Sequence, residues 1–536
     1  MFGGRKRPPY NTKHTPYQPA TGNGATFAGR IYAARQGFAP RGGPGSLPVC
    51  PVLKTRRAAR GTTIFHFSFL IFMDSVQTQC ERLAAARCPL HMPGHKRRVP
   101  PAPGLSCYAW DLTEIDGADD LHDAHGMLAA AMARTAALYG SARCWYLVGG
   151  STAGLLAGIR ALAPFGSAVL AARNCHKAVY HALELGHLTA HYLTPPVLPG
   201  FGVYGSVPPA AVAAALDAHP DVRCVILTSP TYEGVCSDVA AIVKICHARG
   251  VPLLVDEAHG AHYLPLAAPY GWRGGAVAAG ADLVVQSAHK TLPSLTQTAW
   301  LHLNGDRADP AEVERQLDVF ETSSPSYPLL ASLDGCTEWL LQDGAAAFAA
   351  WRARLGRFYA AAARWHNTPV LGCAPEKAAC YGYDDGKLLL RIGAAGAAAL
   401  RAAGFEPEMV CGPNVLAMTS PCDAEDTLDR LADVLAARDA AAPPPPAAGA
   451  LLPPPGAAQC TLAEALLRPA RTLPLAQAVG HTAAEYVWAY PPGVPLLAPG
   501  ETVTPGFAAA VAALADAGTA LRHSGGSAPD ALRVLA

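Results

Sequence analysis

Short apolar runs that alternate with helical patterns constrain the fold of this chain more than any other feature. The runs lie downstream of about residue 127, at Cys144–Val148, Val222–Leu227, Leu253–Val255 and Leu283–Gln286. Each run is too short for a helix, and helical patterns such as Val239–Arg249 separate them. Buried strands that alternate with helices pair in parallel through crossover helices. The sequence therefore predicts an α/β domain with a mainly parallel sheet.

The length of the chain predicts further domains, because 536 residues exceed what one hydrophobic core supports. We place the N-terminal segment and the α/β domain at 73–335. A smaller α+β domain is expected at 336–440, and the Pro/Ala-rich stretch 441–458 is predicted to be a linker. Residues 459–536 are predicted to form a separate C-terminal α+β domain.

Residues 1–72 do not have the pattern of a domain. They contain eleven of the 42 Lys and Arg residues and no acid, and they show no sustained helical or strand period. A signal peptide would need a small-residue cleavage site after Phe72, and a transit peptide would contain more serines. We favour a disordered or mis-annotated extension with Met73 as the start, because Asp74-Ser75-Val76 predicts a capped helix start.

Charge and cysteine usage exclude several classes of protein. Beyond residue 72 the chain has 31 basic against 41 acidic side chains, a balance that disfavours non-specific nucleic-acid binding. The fifteen cysteines of the chain form no CxxC pair, which indicates reduced thiols in the cytoplasm and neither a disulfide framework nor a zinc site. The longest apolar run, Ile64–Phe72, is too short to span a membrane. We therefore expect a cytoplasmic protein without a membrane anchor, a bound metal or a nucleic-acid partner.

The segment Ser287–Thr291 contains the first chemical signal, a lysine directly after an apolar strand. Burying an ammonium group is costly unless the group is paired or used in chemistry. A lysine in such surroundings has a lowered pKa and can form an imine with an aldehyde cofactor. For Lys290 considered alone, an exposed loop lysine is the alternative.

Two further signals accompany Lys290. Asp256 follows the strand Leu253–Val255, 34 residues upstream, where a buried carboxylate would keep a pyridinium nitrogen protonated. A helix N-cap is the alternative role for this aspartate. Gly149–Gly154 follows the strand Cys144–Val148 and supplies hydroxyl groups and a helix N-terminus, which favour a phosphate dianion. The glycine turn, the aspartate and the lysine, in this order along the chain and on successive strand ends, indicate a pyridoxal phosphate site.

The sequence around these residues resembles the Orn/Lys/Arg decarboxylase family of fold-type I pyridoxal-phosphate enzymes, in its short form without an N-terminal wing domain. The match extends from about residue 88 to residue 505. The segments that carry it are Pro89–Lys96, Asp111–Glu114, Asp119–His122, Arg173–Lys177, Thr228–Gly234, Val255–Gly260, Gln286–Thr291, Thr322–Tyr327, Tyr490–Leu497 and Pro499–Glu501. The resemblance implies a large fold-type I domain followed by small and C-terminal α+β domains.

The resemblance assigns roles around the cofactor ring. It implies that Lys290 is the Schiff-base lysine and Asp256 the partner of the pyridinium nitrogen. His176 resembles the imidazole that stacks on the ring, and a surface histidine is the alternative. His259 lies beside the ring, at a position where the family varies. Lys290 and His289 are the candidates for protonating the substrate carbon after decarboxylation.

The resemblance also assigns residues to the two ends of the ligand. Ser151, Thr152, Ser287 and His289 are the expected phosphate ligands. Glu501 is the candidate for binding the distal cationic group of the substrate, and a solvated loop carboxylate is the alternative.

The implied activity is decarboxylation of a basic amino acid to an amine and CO2 in polyamine metabolism, with arginine favoured and lysine or ornithine also open. An aminotransferase or acyltransferase on the same fold is an alternative, as is a catalytically silent regulator that binds the cofactor. The segment Thr322–Tyr327 is similar to the part of the family that reaches a neighbouring subunit's cofactor. A homodimer, or a larger assembly of dimers, is therefore expected.

Overall fold

A seven-stranded sheet forms the centre of the large domain. The structure is a computed structural model that describes residues 74–86, 106–443, 452–489, 493–516 and 520–536. The strands up to residue 303 are β1 Arg143–Leu147, β2 Ala168–Ala172, β3 Thr189–Leu193, β4 Val197–Leu198, β5 Val203–Tyr204, β6 Val222–Thr228, β7 Val235–Cys236, β8 Leu253–Asp256, β9 Leu283–Gln286 and β10 Ala299–Leu303.

The order of strands in this sheet is β1–β10–β9–β8–β6–β2–β3. Strands β3, β2, β6, β8 and β9 pair in parallel, whereas β10 is antiparallel to both β9 and β1. Every residue of β2, β8, β9 and β10 is buried, which explains why these strands are apolar on both faces. The predicted α/β fold with a mainly parallel sheet is confirmed.

Helices connect the strands of this sheet and cover it. They are α1 Val76–Ala86, α2 Met127–Tyr139, α3 Gly150–Leu162, α4 Lys177–Leu185, α5 Pro209–Ala218, α6 Val239–His247, α7 Ala276–Ala279, α8 Ala288–Thr291, α9 Pro310–Phe320 and α10 Tyr327–Gln342, with 3-10 turns at Ser106–Ala109 and Pro265–Tyr270. Helix α3 packs closely on the sheet because Gly154 has no side chain, and a Cβ atom there would lie 2.5 Å from Cδ1 of Leu147. This close packing holds the start of α3 against the end of β1.

The small domain is built around a three-stranded sheet in the order β12–β14–β13. Its elements are α11 Gly344–Ala362, 3-10 turns Leu371–Cys373 and Pro375–Ala379, β11 Gly382–Tyr383, β12 Lys387–Arg391, α12 Gly393–Ala402, β13 Met409–Cys411, β14 Asn414–Met418 and α13 Thr427–Ala441. The boundary predicted at residue 335 lies inside α10, so a continuous helix leads out of the large domain.

The C-terminal region contains two further small sheets, β15–β19 and β17–β16–β18. Its elements are α14 Leu462–Leu467, β15 Ala470–Pro474, α15 Leu475–Ala478, β16 Val487–Ala489, β17 Pro495–Leu497, α16 Pro505–Asp516, β18 Leu521–His523 and β19 Ala531–Leu535. The amide of Thr502 donates to the carbonyl of Ala457, so the last residues of the predicted linker already pair with this region.

All described residues fall within one compact unit, Thr63–Ala536. In the described part of the chain, no helix combines the length and the apolar character needed to cross a membrane.

Candidate active site

A cavity of about 520 Å³ lies at the carboxyl ends of the strands in the large sheet. Its wall includes residues that directly follow β1, β2, β6, β8 and β9. In α/β sheets, ligands bind at this edge. Met409 of the small domain and Leu452 and Val494 of the C-terminal region complete the wall. The cavity is therefore shared by all three regions of the chain.

Lys290 and Asp256 line this cavity from neighbouring parallel strands. Asp256 ends β8, is 3% exposed, and accepts a hydrogen bond of 3.1 Å from the Ala258 amide. Lys290 lies in α8, directly after β9, and is partly buried. Burial raises the pKa of Asp256 and lowers that of Lys290, while the opposite charge of each partner counteracts both shifts. Such a pair fits the aldehyde carbon and the pyridine nitrogen of pyridoxal phosphate.

Ser151 and Ser287 meet at the predicted phosphate end of the cavity. Their Oγ atoms are 2.7 Å apart although 136 residues separate them in the chain. Ser151 lies in the first turn of α3, which begins at Gly150 with a φ of 75°, a conformation that glycine adopts without strain. The unpaired amides of this turn favour an anion, and the exposed Thr152 lines the cavity beside them. These residues fit a phosphate group.

His289 lines the same cavity and is oriented by a backbone carbonyl. Its Nδ1 lies 2.7 Å from the carbonyl oxygen of Thr298. A carbonyl oxygen only accepts, so Nδ1 carries the proton of the neutral ring and Nε2 is left as an acceptor. Burial lowers the pKa of His289, and the Lys290 charge adds to this effect. The neutral form of His289 is therefore favoured.

His176 is the N-cap residue of α4 and lines the cavity. Its Nδ1 accepts a hydrogen bond of 3.2 Å from the Ala178 amide, which leaves the ring proton on Nε2. Burial, followed by the charge of Lys290, lowers the pKa of His176 to about 4. The ring is thus neutral near pH 7 and suited to stacking on an aromatic cofactor.

His259 lies between two lysines. Its Nε2 is 3.0 Å from Nζ of Lys290, and its Nδ1 is 2.9 Å from Nζ of Lys387. The histidine is buried, and burial together with the two lysine charges lowers its pKa well below the ordinary value. Tyr232 packs edge-on against the ring, with centroids 4.8 Å apart. The predicted ring neighbour is therefore also in contact with Lys290.

Glu501 does not line the cavity with the other predicted residues. Its Oε2 lies 3.1 Å from Nη2 of Arg173 and also accepts a hydrogen bond from the Ala498 amide. Arg173 and Glu501 are each 2% exposed, so the ion pair is fully buried. In this conformation the carboxylate joins the C-terminal region to Arg173, which directly follows β2.

Three charged residues of the cavity region were not singled out from the sequence. Glu233 and Glu408 line the cavity, and Tyr232 donates a hydrogen bond to Glu408. Lys387 is 1% exposed at the start of β12. In the sequence it follows an Asp-Asp-Gly turn and precedes three leucines, a pattern that is typical of an exposed strand end. Its place beside the cavity becomes visible only from its contact with His259 in the folded structure.

Two of the segments that carry the resemblance include undescribed residues. Pro89–Lys96 and Tyr490–Pro492 lie outside the described residues, as does the predicted extension 1–72. Glu321, next to the segment Thr322–Tyr327, accepts a hydrogen bond of 2.8 Å from the Gly149 amide in the phosphate turn of the same chain.

One group of potential metal ligands occurs in the described part of the chain, outside the cavity. Donor atoms of His191, His219 and Asp221 lie within 4.8 Å of one another. The two imidazoles stack with centroids 3.6 Å apart and planes inclined by 16°. The lone pair of an imidazole lies in the ring plane, so two nearly parallel stacked rings do not both point at one ion. This group is a poor metal site in the observed conformation.

The chain matches the two sequence profiles of one enzyme family. The Orn/Lys/Arg decarboxylase major domain matches residues 86–346, and the C-terminal domain of the same family matches residues 450–524. The first match contains the whole large sheet and the second contains Glu501.

Curated relatives agree with these profiles. The "Uncharacterized protein YaaO" of Bacillus subtilis is 44% identical over 225 residues, which cover 42% of this chain and 46% of that protein. The "Arginine decarboxylase" of Halalkalibacterium halodurans is 30% identical over 444 residues, which cover 77% of this chain and 87% of that protein. The structure of the Escherichia coli constitutive lysine decarboxylase has the same fold, with a TM-score of 0.69, 19% identity, and coverage of 86% of this chain and 82% of that one.

Proposed function

This chain belongs to the Orn/Lys/Arg decarboxylase family, and we propose that it removes the α-carboxylate of a basic amino acid, with arginine favoured over lysine and ornithine. The family identifies the chain as a pyridoxal phosphate-dependent amino acid decarboxylase. One observation carries the substrate proposal. The cavity that contains Lys290 and Asp256 is also lined by two further carboxylates, those of Glu233 and Glu408.

The residues around the cavity fit pyridoxal phosphate from end to end. Lys290 would bind the aldehyde carbon and Asp256 the pyridine nitrogen, since they line one cavity from adjacent strands. His176 would lie on a face of the ring, with His259 beside it. The phosphate would occupy the start of α3, where Ser151, Thr152, Ser287 and His289 supply hydroxyl and imidazole groups.

When bound, the cofactor supplies an electron-poor ring that accepts the electron pair of the breaking bond between Cα and the carboxylate. Asp256 would hold the proton on the pyridine nitrogen, because a buried carboxylate beside that atom favours its protonated form. The Ala258 amide donates to Asp256 and fixes the carboxylate at the end of β8. The wall of the cavity limits the access of water to the reacting carbon.

The proton that replaces the carboxylate is best supplied by Lys290. His289 donates Nδ1–H to Thr298, so the free nitrogen of its neutral ring is an acceptor. Delivery from His289 would need the imidazolium form, which burial disfavours. Nζ of Lys290 would take up a proton and release it at the substrate carbon. We therefore favour Lys290 over His289 for this step.

A cationic side chain suits this cavity. Asp256 is committed to the cofactor ring, which leaves Glu233 and Glu408 as carboxylates for the substrate. A guanidinium offers planar donors that match carboxylates, and this geometry favours arginine over an ammonium-bearing substrate. The relative matched over most of this chain bears the name arginine decarboxylase, which supports the same preference.

The product would then be a polyamine precursor such as agmatine, with cadaverine or putrescine from the other two substrates. We also propose that the chain works as a homodimer or as an assembly of dimers, on the resemblance of Thr322–Tyr327 to a segment that reaches a neighbouring site. Size determination in solution would test this assembly.

The activity is tested by measuring CO2 and amine from purified full-length protein with pyridoxal phosphate, offering arginine, lysine and ornithine separately. Lys290→Ala is the inactive variant, and Lys244→Ala on the exposed face of α6 is the matched control. Turnover of arginine that is lost only in Lys290→Ala supports the proposal.

Two results would contradict the proposed substrate or reaction. Transfer of the amino group to an added keto acid without CO2 release would favour the aminotransferase alternative. Cofactor bound to Lys290 without turnover of any of the three substrates would favour the silent regulator.

A further inference from the structure

Two buried amines share one imidazole in the candidate active site. Nζ of Lys290 lies 3.0 Å from Nε2 of His259, and Nζ of Lys387 lies 2.9 Å from Nδ1 of the same ring. Lys387 is 1% exposed and belongs to the small domain, 128 residues away from the histidine. A fully buried lysine is unusual unless it is paired or has a function.

We propose that Lys387 is a positioning residue that acts through the single proton of His259 to keep the Lys290 amine in the uncharged form that attacks an aldehyde. This inference rests on the proposed role of Lys290 as the cofactor lysine. It assigns a function to a residue of the small domain that does not itself line the cavity.

The argument begins with the hydrogen-bonding capacity of the three groups. A neutral imidazole has one N–H donor and one acceptor nitrogen, whereas an ammonium group can only donate. Two ammonium groups cannot therefore both hydrogen-bond to one neutral ring. Burial, the largest influence on its pKa, keeps the His259 ring neutral. With both contacts formed, at least one of the two lysines must be uncharged.

The surroundings favour the charge on Lys387. Burial, with the charge of Lys290, lowers its pKa to about 8, and the carboxylates of Asp384, Glu408 and Glu233 counteract this shift. The carboxylates of Asp256 and Glu408 favour a charge on Lys290. With the cofactor bound, Asp256 would instead pair with the pyridine nitrogen, so its support for a charge on Lys290 would be lost. The titratable groups that face the unit of Lys290, His259 and Lys387 are the acids Asp256, Glu233, Asp384 and Glu408 and the neutral imidazoles of His176 and His289.

The two hydrogen bonds then both donate in the same direction, from Lys387 through His259 to Lys290. Charged Lys387 donates to Nδ1 of His259, so the ring proton is on Nε2 and is donated to Nζ of Lys290. An amine can accept this hydrogen bond only through its nitrogen lone pair, and an ammonium group has none, so Lys290 is uncharged in this arrangement. The Lys387 charge also disfavours a second positive charge on Lys290. Both effects keep Lys290 ready to react.

The test measures the reactivity of Lys290 itself, apart from turnover. Full-length protein stripped of cofactor is mixed with pyridoxal phosphate between pH 6 and 9.5. The uncharged amine condenses with the aldehyde, releasing water, and borohydride then supplies hydride that reduces the C=N bond to a stable secondary amine. Peptide mass spectrometry locates and counts the modified lysine at each pH.

Lys387→Met is the informative variant, because methionine keeps a stem of similar length without the charge. We expect the midpoint of the pH dependence for Lys290 to rise by about one pH unit, which is about a tenfold loss of labelling rate at pH 7. Lys244→Met changes an exposed lysine of α6 and should leave the midpoint unchanged. Lys387→Arg retains the charge and a donor, and it should stay near the wild-type midpoint.

Repeating the comparison in a His259→Phe variant distinguishes an effect transmitted through the His259 ring from a general structural effect of changing Lys387. In His259→Phe the link between the lysines is lost, so adding Lys387→Met should shift the midpoint by much less than it does in the wild type. If Lys387→Met fails to fold, as judged by circular dichroism and melting, Lys387→Gln replaces it with the same expected shift.

The outcomes distinguish this inference from the proposed function. Label on a lysine other than Lys290 would overturn the assignment of the cofactor lysine, and the inference with it. Label on Lys290 with the same midpoint in wild type and in the folded Lys387 variant would overturn the inference alone.

Discussion

The hydroxyl oxygens of Ser151 and Ser287 lie 2.7 Å apart and join the start of helix α3 to the segment that carries Lys290. One serine follows the first strand of the sheet and the other follows β9. Their contact brings two separately predicted phosphate ligands to one point, at the N-terminus of helix α3. The pair is therefore the most direct structural support for where a phosphate would bind.

Replacing either serine should weaken cofactor binding without unfolding the protein. A hydrogen bond to a charged group contributes about 1.5–3 kcal/mol, so Ser151→Ala or Ser287→Ala should lower the affinity for pyridoxal phosphate at least tenfold. The two effects should be less than additive in the double variant, because the residues share a hydrogen bond. Absorbance titration of cofactor-free protein measures the affinity, with Ser167→Ala outside the cavity as the control. Unchanged affinity in both variants would place the phosphate elsewhere.

The buried ion pair of Arg173 and Glu501 should be important for stability. Glu501→Gln leaves a guanidinium without its charged partner at a site that is 2% exposed, which should cost about 3–5 kcal/mol of unfolding free energy. The double variant Arg173→Met/Glu501→Met, without a stranded charge, should be more stable than Glu501→Gln. Thermal and urea unfolding measure both effects. If Glu501→Gln instead kept its stability and raised only the KM for the amino acid, the result would support the predicted substrate role of Glu501 over a structural one.

Glu321 should make stability depend on pH. Burial raises its pKa from 4.5 to about 7, and the hydrogen bond from the Gly149 amide counteracts this shift. The folded protein therefore binds the proton more tightly than the unfolded chain between pH 4.5 and 7. The stability linked to this proton is present below pH 4.5 and is lost as the pH rises through about 7. The total is roughly 3 kcal/mol.

Glu321→Gln removes this titration and keeps an oxygen that accepts from Gly149. We expect the unfolding free energy of the variant to fall less than that of the wild type between pH 4.5 and 7.5, as measured by urea unfolding at a series of pH values. Parallel curves for the two proteins would show that the carboxyl group titrates normally.

Glu408 should affect substrate binding more than chemistry. It lines the cavity, where loss of a charge-assisted contact of about 1.5–3 kcal/mol would raise the KM for a basic amino acid roughly ten- to a hundredfold. Since the carboxylate would bind the substrate equally in the ground and transition states, kcat should change little in Glu408→Gln. Glu406→Gln is the matched control, because Glu406 pairs with Arg401 on the surface two residues away. A fall in kcat at constant KM would show that Glu408 acts in the chemical step and not in substrate binding.

Most of the large domain was predictable because its signals are local. The four predicted strands are present at Arg143–Leu147, Val222–Thr228, Leu253–Asp256 and Leu283–Gln286, within one residue of their expected ends. A short apolar run between turn residues forms a buried strand in almost any context. The antiparallel placement of β10 was not predicted, since the direction of a strand depends on where its connections lead.

The sequence by itself determined the fold class and the principal site, because parallel strands end at one edge and their following residues must meet there. This reason applies to Lys290, Asp256 and the phosphate turn. The tertiary structure alone decided the roles of charges that are brought together from distant segments. Lys387 meets His259 across 128 residues, and Glu501 meets Arg173 across 328. Whether such a charge is exposed or buried depends on how domains pack, and burial determines its protonation and its partners.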